Sequence, residues 1–304
     1  MNLTTSKTVA AIEAGGTKFV VAIGRGDRIG PRITIPTTDP NTTLSSVVDA
    51  IKTELEGDAL NAIGIASFGP IDINKQSQTY GAIGATPKAG WEGVNLRTYF
   101  SQAFGCPISI ESDVNGAALA EAHWERPVPI NHLAYVTVGT GIGVGVIHNG
   151  IIANGTGHPE MGHIRVPPHS KDISFSGVCP FHKNCIEGMA SGPAIFARWQ
   201  ATLSDLDADH IAHEIEAYYL GQLALHIVLH HRPERLVLGG GVNQTPHLLP
   251  RIRAQFQVAL AGYLPNLDNA DAVADLIQPA RLGLNSGIRG AFMLGAASAQ
   301  GSHA

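Results

Sequence analysis

Val9-Ala10-Ala11-Ile12-Glu13-Ala14-Gly15-Gly16-Thr17-Lys18-Phe19-Val20-Val21-Ala22-Ile23 decides the fold of this chain. Apolar residues on either side of a glycine pair predict a strand, a tight turn and a second strand. A closely similar layout returns at Leu133-Ala134-Tyr135-Val136-Thr137-Val138-Gly139-Thr140-Gly141-Ile142-Gly143-Val144-Gly145-Val146-Ile147. Each copy sets a hydroxyl and flexible backbone amides at a hairpin tip. Gly15-Gly16-Thr17-Lys18 is not a Walker A loop, which needs four residues between its first glycine and the Gly-Lys pair and opens a helix. Val138-Gly139-Thr140-Gly141-Ile142-Gly143 fails the dinucleotide-binding spacing as well. One such turn is an ordinary hairpin. Two of them facing across a cleft can hold the phosphates of a nucleotide from both sides, with Gly15, Gly16, Thr17 and Lys18 on one side and Gly139, Thr140 and Gly141 on the other.

Between and after the hairpins the pattern alternates. It predicts a helix around 44–56, a strand at 62–67, an irregular Gly/Pro loop, a strand at 108–111 and a helix at 115–124. Helices follow at 193–203 and 208–231, then a buried strand at 235–238, a helix near 248–260, a short strand near 274–277 and a last helix near 288–299. Alternating strands and helices argue an α/β architecture, with a boundary near 113–133 dividing two similar halves. Leu236-Val237-Leu238 runs into Gly239-Gly240-Gly241, where glycines Gly240 and Gly241 allow a planar base to lie on the backbone.

The chain has 304 residues and is 44% hydrophobic, enough for a full core, and its net charge of -5 comes without a basic block. That argues against nucleic-acid binding through a positive face. The first residues lack the layout of a signal peptide, and no stretch reaches the length of a membrane span. With three cysteines, two of them clustered, the composition fits a reducing cytoplasm. Cys106 reads as a small buried apolar residue.

Two constellations carry chemistry. In Glu111-Ser112-Asp113-Val114-Asn115, a strand ends and a helix begins. Asp113 or Asn115 suits a helix N-cap, and Asp113 also suits a general base that accepts the proton of an attacking hydroxyl. Further on, Cys179-x2-His182-x2-Cys185 follows His158-Pro159-Glu160-Met161-Gly162-His163. Cys179, Cys185, His182 and His163 satisfy the tetrahedral preference of zinc and close its shell, which makes the ion a staple rather than a catalyst. The metal then fixes the backbone presenting Glu160 and Glu187, carboxylates suited to a polyhydroxylated ligand.

In order and combination these motifs resemble the ROK family of sugar kinases and repressors, within the actin-like ATPase superfamily. The wording Gly157-His158-Pro159-Glu160-Met161-Gly162-His163, Gly177-Val178-Cys179-Pro180-Phe181-His182 and Thr86-Pro87-Lys88-Ala89-Gly90-Trp91 is similar to bacterial fructokinases of that family. The resemblance implies two ribonuclease H-like α/β domains flanking a central cleft. The smaller comprises 1–115 plus 288–304, and the larger, with the zinc loop, 116–287. It implies ATP with Mg2+ as phosphoryl donor, a hexose (fructose, with glucose, mannose or an N-acetylated amino sugar as the alternative within the family) as acceptor at its 6-hydroxyl, Asp113 as the base, and domain closure that excludes water. Glu160, His163 and Glu187 would read sugar hydroxyls, His163 with one ring nitrogen while the other binds zinc. Glu13, where many relatives have Asp, would reach a metal-bound water. A homodimer is usual in the family. Repressor members carry a DNA-binding domain before the first hairpin, and the 14 residues before Gly15 leave no room for one here. A filament-forming ATPase would have no use for a zinc cluster beside two sugar-facing carboxylates.

Overall fold

The computed structural model describes residues 7–26 and 28–301. The N-terminal stretch read above for a signal peptide, and both outer limits of the smaller domain, fall wholly or partly outside these residues. The chain divides into two compact units, one of 1–129, 150–158 and 284–304, the other of 130–149 and 159–283. The boundaries expected from sequence, 115/116 and 287/288, differ from this division. A cut at 115 would fall inside a helix, Asp113–His123, whose face is buried along nearly its whole length.

The first unit begins with the antiparallel pair β1 (Thr8–Ala14) and β2 (Lys18–Arg25), joined by the Gly15-Gly16-Thr17 turn. Strands β3 (Arg28–Ile29) and β4 (Ile33–Pro36) both pair antiparallel with the edge of β2 that faces away from β1. Helix α1 (Pro40–Leu55) starts four residues before the expected position, because Asp39 accepts a hydrogen bond from the Thr42 amide and Pro40 fits the first helical turn. Strand β5 (Ala62–Ser67), helix α2 (Leu96–Phe104), strand β6 (Ile108–Ser112) and helix α3 (Asp113–His123) complete the alternation. β1, β5 and β6 run parallel, ordered β3-β2-β1-β5-β6 with β4 also on β2.

The second unit repeats the hairpin as β7 (Leu133–Val138) and β8 (Ile142–His148). The chain returns to the first unit for β9 (Ile151–Ile152). It then continues through α4 (Ile186–Ala190), α5 (Gly192–Trp199), α6 (Ile211–His231), β10 (Arg235–Gly239), α7 (Leu248–Leu260), α8 (Ala270–Leu276) and β11 (Ile277–Pro279). β10 lies parallel between β7 and β11. The strand expected near 274–277 is mostly helix: Asn269 caps α8 through the Ala272 amide, and only Ile277 onward is extended. Helix α9 (Ser286–Ala299) belongs to the first unit and is buried on almost every face. A helix enclosed on all sides needs no polar face. Among the described residues no helix is long and apolar enough to cross a membrane.

The first unit's core gathers Phe19, Trp91, Phe100, Ile12, Ile63 and Ile65. Trp91 is fully buried, 5.5 Å from the Phe19 ring and 5.7 Å from Phe68, and its indole N–H donates to the Thr38 carbonyl at 2.8 Å. The Thr86–Trp91 segment is thereby anchored to the sheet. Trp91→Ala should cost about 3–5 kcal/mol of stability through the cavity it leaves. Trp91→Phe should cost less. Denaturant unfolding of both variants, with unchanged slope, checks this.

Candidate functional site

Parallel strand register assembles the first set of residues. Ala14 of β1 lies beside Ser67 of β5, and Ser67 beside Ser112 of β6. Asp113, the next residue, therefore starts α3 at the carboxyl ends of the parallel strands, where open α/β sheets bind their ligands. The helix cap is Ser112, whose hydroxyl accepts from the Asn115 amide at 3.3 Å. Neither Asp113 nor Asn115 is the cap: the strand runs one residue further than expected, and a serine at its end is a competent cap. Asp113 sits inside the first turn, with Oδ1 accepting from the Val114 amide at 2.8 Å.

Asn115 is wholly buried, and its amide nitrogen donates to Glu111 Oε2 and to Asn154 Oδ1, both at 2.9 Å. Asn154 donates in turn to both Glu111 oxygens, at 3.0 and 3.2 Å. This Glu111–Asn115–Asn154 network fixes the turn that carries Asp113. Burial pushes the Glu111 carboxyl above the usual range, against the pull of the two amides. The sequence reading missed it, since Asn154 lies far along the chain.

Glu13 stands next to last in β1 and is partly buried. Burial, and then the nearby Asp113 carboxylate, push its pKa up to about 7, against the opposing pull of Lys18 and Arg32. Two carboxylates held together at a partly dry strand end form a donor set that fits a hard, oxygen-seeking ion such as Mg2+. The Gly15 amide donates to the Lys18 carbonyl, and Thr37 binds the turn twice, through its amide to Thr17 O and its hydroxyl to Gly15 O. Lys88 donates to the Gly16 carbonyl. Gly16 faces open space, and Thr17 and Lys18 are exposed.

In the second unit β7 and β10 run parallel, so the Gly139-Thr140-Gly141 tip and the Gly240-Gly241 turn stand at adjacent strand ends. Gly240 has φ +87°, and a β-carbon there would lie 2.3 Å from the Val138 carbonyl oxygen, so only glycine fits. Gly241 faces open space. Glu187 joins this tip to the cluster described next. Its Oε2 accepts from the Ile142 amide at 3.0 Å, and its Oε1 lies 4.0 Å from His163 Nε2.

His163, Cys179, His182 and Cys185 bring one ligand atom each within 4.8 Å of one another. His163 Nδ1 lies 3.5 Å from Cys185 Sγ and 3.9 Å from Cys179 Sγ, and His182 Nδ1 lies 3.8 Å from Cys179 Sγ. A tetrahedral zinc ion with bonds of about 2.3 Å to sulfur and about 2.05 Å to nitrogen separates such atoms by about 3.6 Å. The donor set and its spacing fit zinc. His163 turns Nδ1 to the cluster and Nε2 to Glu187. Gly162 allows the turn at Met161–His163 to sit against β8, since a β-carbon there would lie 1.9 Å from the Ile142 carbonyl oxygen. Exposed Glu160 begins that turn, its carbonyl accepting from the His163 amide at 3.0 Å.

The segment between the ligand pairs is strapped down separately. Asp172 accepts from Arg198 at 2.9 and 2.7 Å and from the Tyr219 hydroxyl at 2.9 Å, and the Arg198 guanidinium lies 3.8 Å from the centre of the Phe175 ring. Cys106 is partly rather than fully buried, against the edge of the first unit's core.

The chain matches the family described as ROK family over residues 9–298, and it belongs to that family. It is 40% identical over 297 residues to a fructokinase of Zymomonas mobilis subsp. mobilis, covering 96% of this chain and 97% of that one. It is 41% identical over 271 residues to a fructokinase of Streptococcus mutans serotype c, covering 88% and 91%. The fold is that of the crystal structure of a ROK hexokinase from Thermus thermophilus, with a TM-score of 0.77 at 25% identity over 97% of this chain and 100% of that one.

The two charged clusters yield two predictions. Burial, followed by the neighbouring Cys179, pushes the Cys185 thiol upward, so metal uptake must displace a firmly held proton. Purified protein should hold about one zinc per chain and release it as pH falls. Cys179→Ser should lose the ion, as elemental analysis at neutral and acidic pH would record. For Glu13, the folded protein holds the proton more tightly than the unfolded chain, whose carboxyl titrates near 4.5. The resulting penalty is absent well below 4.5, grows as pH rises to about 7, and is complete above it. Glu13→Gln should therefore raise the stability of metal-free protein at pH ~8 by roughly 2–4 kcal/mol. The gain should shrink to less than about 1 kcal/mol at pH ~5. Thermal melts at the two pH values measure the difference.

Proposed function

We propose that this chain transfers the γ-phosphoryl group of ATP to the 6-hydroxyl of D-fructose, giving fructose 6-phosphate. The observation that carries the reading is about 40% identity, along nearly the whole chain, to fructokinases of two bacteria. Fructose, rather than another hexose, is the acceptor that this similarity favours.

Asp113 accepts the proton of the 6-hydroxyl as its oxygen attacks phosphorus in line. The transition state is loose, so catalysis rests on positioning and on stabilising charge over the phosphoryl oxygens. Thr17, Lys18 and the amides of Gly15 and Gly16 bind phosphate in the first unit. Gly139, Thr140 and Gly141 do so in the second, and Gly240 and Gly241 pass beneath the base. Glu160, His163 Nε2 and Glu187 Oε1 hold sugar hydroxyls. Glu13 is the residue that would reach Mg2+, through a water bound to it, and the ion would supply neutralisation of phosphate charge when bound. His163, Cys179, His182 and Cys185 would hold zinc, which would order the turn that carries Glu160 and His163. The enzyme works in the cytoplasm as a homodimer, a state that sedimentation velocity would report.

Asp113→Asn keeps the size of the side chain and leaves the Ser112 cap intact. It should lower kcat at least ~100-fold, with fructose affinity retained. Near-native turnover would remove Asp113 from the role of base. A panel of fructose, mannose and glucose with the native enzyme should give the highest kcat/KM on fructose, and a higher value on glucose would overturn the choice of sugar.

A further inference from the structure

Far along the second unit's sheet from the glycine turns, five histidines gather outside the machinery just described. We propose that His148 and His231 bind a divalent transition-metal ion at a second site, separate from the four-residue cluster.

Fixed elements carry the donors. Leu133 pairs with Ile147 in the β7–β8 register, so His132 and His148 form the next rung at the open end of that ladder. Their rings lie 5.4 Å apart, edge to face. His231 is the last residue of α6, where Arg232, at φ +46°, closes the helix with its amide on the Val228 carbonyl. The following loop is clamped to His132. The Glu234 amide donates to the His132 carbonyl at 2.7 Å, and Glu234 Oε1 accepts from the Asn131 and His132 amides at 3.2 and 3.0 Å. Strand end and helix end are thus held together without the imidazoles.

The nitrogens converge. His148 Nε2 lies 3.4 Å from His231 Nδ1. That is longer than the usual ~2.9–3.0 Å of an N–H hydrogen bond. It matches the edge of about 3.3 Å that two nitrogens make around a tetrahedral ion with bonds of about 2.05 Å. The metal-binding form is the neutral imidazole.

A second histidine pair, His226 and His230, lies one helical turn apart on α6 and is the competing location. There the rings stack at 6.0 Å with planes 20° apart, which turns faces rather than in-plane lone pairs toward each other. His230 also spends Nδ1–H on the His226 carbonyl at 2.7 Å. The convergent pair is the better chelate. With two imidazoles and water completing the shell, it binds more weakly than the four-ligand cluster.

The test uses the full chain, passed over a weak chelating resin to remove loosely held metal, and Ni2+ as the probe. Calorimetric titration near neutral pH should record uptake of about one equivalent, without the thiolate charge-transfer absorption that Ni2+ on Cys179 and Cys185 would give. His148→Gln and His231→Gln should each weaken uptake at least about tenfold while keeping the native melting temperature. His226→Gln and His230→Gln should leave it unchanged. No uptake by the native protein, thiolate absorption accompanying it, or loss only in the His226 and His230 variants would each overturn the proposal.

Discussion

Parallel register at strand ends is the constraint on which the rest depends. In a parallel pair, neighbouring strands finish at the same edge, so whatever follows each strand is delivered to a common rim. Ala14, Ser67 and Ser112 share a row in the first sheet, which sets the first glycine turn and Asp113 at one edge. Thr137 and Gly239 share a row in the second, which does the same for the two glycine turns there. A register slip of one residue would turn Glu13 and Glu111 to the opposite face of their strands and break both buried carboxylate arrangements.

Those carboxylates are costly to hold. Glu13 and Glu111 both rest above the ordinary carboxylate range, chiefly because burial penalises their charge. The compensations differ. Glu111 is satisfied by neutral amides from Asn115 and Asn154, an internal arrangement that gives stiffness. Glu13 also accepts the Ile288 backbone amide, but it is balanced in addition between an anionic neighbour, Asp113, and the cations Lys18 and Arg32. A carboxylate satisfied by protein amides is a structural part. One left in a contest of charges responds to a bound cation or anionic phosphate.

Much of this was legible in the sequence, for local reasons. Both hairpins, the β5, β6 and β10 strands and the helix near 248–260 followed from apolar runs and glycine punctuation. The His/Cys cluster was legible because its residue types are few and closely spaced. Misplaced features were those decided by one hydrogen bond. The start of α1 is set by Asp39, the cap of α3 by Ser112 rather than Asp113, and α8 by Asn269 where a strand was expected. The Glu111–Asn154 contact was invisible because it joins positions 43 residues apart. Domain limits were hard to read because the first unit is built from three separate stretches of chain.

The zinc-type cluster and the second glycine turn prove to be one mechanical object, with Glu187 as the joint. Cys185 precedes α4, and Glu187 lies in the first turn of that helix, so the cluster fixes the helix start. One Glu187 oxygen is committed to the Ile142 amide beside Gly141, and the other faces His163. Displacing the cluster would therefore move the Gly139–Gly141 tip as well as Glu187 and His163. A single carboxylate bonded at one end to the Gly139–Gly141 turn, and facing at the other a histidine that belongs to the cluster, ties the geometry of the turn to that of the cluster.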